Sequence, residues 1–122
     1  MEPLACNQIV FRALRPSWVD RQTMDVLPIA FVRRPIESGL SVNVASAESC
    51  SKTLRRCGVG SLHVGRIRDL GLDVVVDSHP HAEIAGVPTD IENPAEANRL
   101  AFSLARRTRF VPPDLYTNPA AS

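Results

Sequence analysis

This chain of 122 residues is short of several things at once, and each absence narrows what it can be. No apolar run approaches the roughly 20 residues that a membrane-crossing helix needs. The start, MEPLACNQ, has no positive segment followed by an apolar one, so no secretory signal is expected. A P-loop, a G-x-S-x-G elbow and a three-glycine dinucleotide fingerprint are all missing; Gly58-x-Gly60 has neither the third glycine nor the strand before it. There is no charge excess, the formal net charge being +1, which disfavours nucleic acid as a partner. Lysine is almost absent: of 14 basic residues only Lys52 is lysine, a bias of the kind that genome composition produces. Cysteines are three, Cys6, Cys50 and Cys57, an odd number that argues against a disulfide framework. Together these features lead us to expect a cytoplasmic chain with no membrane segment and no implied cofactor.

What is present suits one domain. The chain is 44% hydrophobic and 22% charged, and its ten prolines separate apolar segments rather than forming a low-complexity tract. Residues 8–14, QIVFRAL, are rich in strand formers, with Val10, Arg12 and Leu14 on one side and Ile9, Phe11 and Ala13 on the other. Trp18 is expected to anchor the next loop to the core. Residues 26–34, VLPIAFVRR, read as an edge strand or a loop that becomes a strand at Ile29, able to form a hairpin with residues 39–45, GLSVNVA. In that second segment Leu40, Val42 and Val44 alternate with Ser41 and Asn43, the clearest period of two in the chain.

Ser46 to Arg56 reads as a helix with Gly58 as its stop, and residues 65–70 as a short helix stopped by Gly71. Residues 61–64 suit a short strand. The valine run of Leu72 to Asp77 suits a central strand covered on both faces, followed by a strand from His81 to Ala85. Asn93, Pro94 and Glu96 open a helix expected to run to Arg109, with Ala97, Leu100, Ala101, Leu104 and Ala105 as its buried stripe. The tail beyond about residue 112 is expected to be loose. The order predicts an α+β domain with a mixed or mostly antiparallel sheet of five or six strands, two main helices and one short one.

Two constellations could carry chemistry. Asp77, His79, His81 and Glu83 are residue types that ligate metals and they alternate, but Pro80 turns the chain among them, so no metal site is assigned. If the early and late strands share a sheet, Arg12, Arg33 and its neighbour Arg34, Ser41 and Asn43 could bind a nucleotide or other phosphate-bearing ligand. His81 with Glu83 would then handle protons as catalytic residues. The leading expectation is a small binding or accessory protein acting through a protein partner, with the anion-site reading as its alternative. Arg106, Arg107, Arg109 and Phe110 lead into an extended apolar segment that could dock on a partner or fold back. Whether the chain is an enzyme is left open by these residues.

Phe11-Arg12, Ala30-Phe31 with Arg33-Arg34, Gly39-Leu40-Ser41-Val42 and Pro80-His81-Ala82-Glu83-Ile84-x-Gly86 resemble, in that order, a pattern in small bacterial proteins of unassigned function. The resemblance implies a single α+β domain and no particular substrate or catalytic residue. A remoter resemblance, to the ADP-ribosyltransferase and RNA phosphotransferase group, rests on an arginine on an early strand. The catalytic glutamate context of that group is not evident here, so no role is carried over.

Overall fold

The computed structural model describes residues 3–45 and 58–112. Six strands form one antiparallel sheet: β1 (Ile9–Ala13), β2 (Leu40–Val44), β3 (Val59–His63), β4 (Asp73–Ser78), β5 (His81–Ala85) and β6 (Arg109–Val111). Their order across the sheet is β4-β5-β2-β1-β3-β6. Helix α1 (Val64–Arg68) follows β3, and α2 (Pro94–Arg106) crosses the core face. This is a single α+β domain.

Alternation decides which face is which. Leu40, Val42 and Val44 of β2 are buried, as their period of two predicts, while Ser41 is exposed and Asn43 half-buried. In register with them, Val10 pairs with Val44, and Val42 and Leu40 with Ala82 and Ile84. The core lies between this face and the stripe Leu100, Ala101, Leu104 and Ala105 of α2. The opposite face carries a smaller buried pair, Phe11 and Val59, with Ile9, Ala45 and Val111 beside them. The Asn93 side chain accepts from the backbone N–H of Glu96, so α2 starts where its cap predicts. Gly58 and Gly71, expected to stop helices, have φ of 90° and 80°, a conformation costly for any residue with a Cβ.

Several expectations need correction. Residues 26–34 form no strand and no hairpin with β2. Instead Pro28–Phe31 make a 3-10 turn that buries Ala30 and Phe31, and Val26 makes only an isolated bridge with Val19. Pro28 presets this turn: Leu27 before it is extended, and proline fits the first helical position. Leu72 to Asp77 is not central. Among the described residues β4 is an edge strand paired only with β5, and although Val74 is buried, Val75 is 53% exposed. A β-branched run shows preference for a strand but not its place in the sheet. Helix α2 stops at Arg106 rather than Arg109. There Thr108 Oγ1 bonds Leu104 O and Arg107 Nη1 bonds Ser103 O, and Arg109–Val111 pair with β3. The short strand expected over 61–64 is β3, two residues earlier, with Val64 opening α1. Trp18 packs against the core as expected. The expected helix from Ser46 to Arg56 and the tail lie outside the described residues. No helix among the described residues is long and apolar enough to cross a membrane.

Candidate functional site: an arginine-floored cleft

The site is created by a break in strand pairing. β1 pairs with β3 all the way to Ala13, and β2 pairs with β5 from Leu40 onward. Between themselves, β1 and β2 pair only at Val10–Val44 and Phe11–Asn43. Beyond Phe11 the two strands part. Arg12, whose alternation puts it on the core side with Val10, closes the gap with its side chain. Its Nε donates to Ala30 O at 2.9 Å, and its Nη1 to Ser41 O at 2.7 Å. One guanidinium thus ties β1, β2 and the 3-10 turn together.

Arg12 is 7% exposed, and it is one of two buried polar residues, with Thr89, among the described residues. Burial pushes its pKa down to about 10, opposed by the charge of Glu37 and reinforced by Arg34 and Arg15. It therefore remains charged at neutral pH. Its guanidinium carbon lies 5.4 Å from the Trp18 ring centre and 5.9 Å from that of Phe31; Arg15 lies 5.2 Å from Trp18. These distances are those of cation–π contacts.

Around Arg12 opens a cleft of about 590 Å³. Arg15, Arg34 and Glu37 supply its other charges, Ser41 and Asn43 its neutral polar side, and Trp18, Ile29 and Val32 its apolar side. Arg34 Nε holds Glu37 Oε1 at 3.0 Å. Desolvation pushes the Glu37 carboxyl up, but bonds from the Arg34 side chain and backbone outweigh it, and the pKa lies below the ordinary value. Three guanidiniums against one carboxylate leave the cleft with an excess of two positive charges.

Of the residues singled out from sequence, Arg12, Arg34, Ser41 and Asn43 are brought to this cleft. Arg33 is not. It donates to Val87 O at 2.6 Å, to Glu37 O and to Glu92 Oε1 at 2.8 Å, clamping two loops together. His81 and Glu83 lie on the neighbouring strand, directly across from Asn43 and Ser41. They do not act on each other: Glu83 accepts from Ser38 Oγ, and His81 Nδ1 lies 2.6 Å from Asp77 Oδ1. His79 is exposed in the turn with Pro80. Among the described residues no three His, Cys, Asp or Glu side chains converge as a metal set.

Asp77 lies below the ordinary carboxyl pKa chiefly because of its bond to His81. A carboxyl depressed by folding contributes stability above its unfolded pKa and loses it as pH falls through the folded value. Asp77→Asn should therefore be less stable than the parent at pH 6 and converge with it below about pH 4. Urea melts across that range read the effect, and a gap that stays constant with pH would exclude this pair as its source.

Sequence reasoning did not assign Arg15, Trp18 and Glu37 to a site, and it did not separate Arg34 from Arg33. Arg15 and Trp18 bracket the 3-10 turn Pro16–Trp18, a local i, i+3 spacing that was visible. Arg34 and Glu37 share the same spacing. What joins the two pairs is the fold. The fold and the cleft define an antiparallel α+β domain with a cationic, partly aromatic cleft at the end of a strand break. Searches against family models, curated proteins and solved structures returned no match for this chain.

Proposed function

We propose that this chain is a small cytoplasmic binding protein whose Arg12 cleft takes a phosphate-bearing or similar anionic ligand. The observation that carries the reading is a buried, charged guanidinium facing an open cleft beside two further arginines. A guanidinium in a desolvated setting binds an oxyanion more strongly than one in water, and its fork matches phosphate and carboxylate geometry. The cleft volume lies within the ordinary range of small-ligand sites. The exposed free thiol of Cys6 fits a reducing compartment. The Asp77–His81 pair, one strand away from Asn43, is where acid–base chemistry would be sought if the ligand proves to be a substrate.

Arg15 and Arg34 are exposed, so the fold does not depend on them as it does on Arg12. Replacing both by glutamine should weaken binding of inorganic phosphate or pyrophosphate by about tenfold or more, taking about 1.5 kcal/mol or more for the lost charge-assisted bonds. The thermal midpoint without ligand should stay close to that of the parent. Calorimetric titration of both proteins reads this, and equal affinities would remove the cleft as the anion site.

A second reading, docking of a protein partner, is favoured by one observation. Phe102 is 53% exposed on α2 and borders a groove of about 480 Å³ with Val26, Pro28 and Arg106. Its signature would be a defined partner that the parent chain binds and Phe102→Ser does not. A partner held equally by both would place docking elsewhere.

A further inference from the structure

The cleft has a property that a bare phosphate does not use. The 3-10 turn sends Ala30 and Phe31 into the core and leaves Ile29 and Val32 outside, 55% and 39% exposed, lining the cleft. Trp18 and Leu14 line the cleft with them. Large apolar side chains left in water beside a cationic floor make an amphipathic site, one part of which can gain only by covering apolar surface.

The charges set a limit on the anion. Arg12 uses Nε and Nη1 on Ala30 O and Ser41 O, and Arg34 uses Nε on Glu37. Glu37 faces the same cleft and repels added negative charge. A single oxyanion of one or two charges matches the cleft's excess of two positive charges, whereas a chain of phosphates carries more charge than the cleft balances.

We infer that the ligand of this site is a single compact oxyanion, phosphate or carboxylate, carrying an apolar group. Its oxyanion meets Arg12 and Arg15, and its apolar group covers Ile29, Val32 and the free part of Trp18. The inference rests on the reading of the cleft as an anion site and deepens it by naming the ligand class.

The test uses the full chain and four probes: inorganic phosphate, phenyl phosphate, benzoate and tripolyphosphate. Phenyl phosphate or benzoate should bind at least tenfold more tightly than inorganic phosphate, and the tighter of the two assigns the headgroup. Ile29→Ser, at an exposed position, should shrink that preference below threefold. If inorganic phosphate binds as well as both aromatic probes, or tripolyphosphate binds most tightly, the apolar inference falls while the anion site stands. If none of the four binds, both fall.

Discussion

Arg12→Ala is expected to destabilise the domain by about 2–4 kcal/mol. Two carbonyls, Ala30 O and Ser41 O, would lose their guanidinium donors, at about 1–3 kcal/mol for each group left unsatisfied. The cation–π contacts of the guanidinium with Trp18 and Phe31 would also vanish. One effect runs the other way. Arg12 is a desolvated charge, with its pKa down at about 10, and removing it recovers part of that penalty. The loss prevails because alanine supplies no donor to the carbonyls and leaves the gap between β1 and β2 unfilled. At about 3–6 °C per kcal/mol for a domain of this size, the midpoint should fall by about 6–24 °C. Arg12→Lys should fall between the parent and alanine, since one ammonium keeps the charge but lacks the fork that reaches both carbonyls. A thermal melt of Arg12→Ala within 2 °C of the parent would show that the guanidinium does not tie the strands.

Phe31→Ala should cost about 3–5 kcal/mol, the range for removing a fully buried aromatic side chain. Phe31 is the largest side chain of the 3-10 turn and is wholly enclosed, in the same core cluster as Leu100 and Leu104 of α2. The same turn presents Ala30 O to Arg12 and Ile29 to the cleft, so loosening it reaches the site. Stability and anion affinity should therefore fall together, whereas Phe31→Leu should spare much of both. The strongest check is a double-mutant cycle. Arg12 touches Phe31 and bonds its neighbour, so the two alanine substitutions should cost less together than their sum, by about 0.5 kcal/mol or more. Additive losses would mean that the turn and the guanidinium are held independently.

The parts of the fold that could be read from the chain were those set by local chemistry. The alternation of Leu40, Val42 and Val44 marked β2 and its buried face, and Asn93 with Pro94 marked the start of α2. The misreadings came where the outcome depends on distant partners. Val26–Arg34 has the composition of a strand, yet Pro28 and the burial of Phe31 make it a 3-10 turn. The valines of β4 have the composition of a central strand, yet among the described residues their one strand neighbour is β5.

The site divides in the same way. Arg12, Ser41 and Asn43 could be singled out because polar residues inside strand patterns stand out. Arg33 and Arg34 could not be separated, because adjacent arginines look alike until the backbone sends one to Glu92 and Val87 and the other to the cleft. His81 with Glu83 looked like a pair at i, i+2, and they do share a face. The turn at His79 and Pro80 folds Asp77 back to become the nearer partner of His81.

By itself, then, the sequence determined a single α+β domain, the buried face of its best strand and the N-terminal cap of its main helix, because these follow from side-chain period and backbone preference within a few residues. The tertiary structure alone decided the order of the strands, the edge position of β4 and the cleft. A cleft of this kind exists only because β1 and β2 part after Phe11 and Asn43, residues 32 positions apart in the chain, and because Arg12 turns inward to bridge what the backbone leaves open.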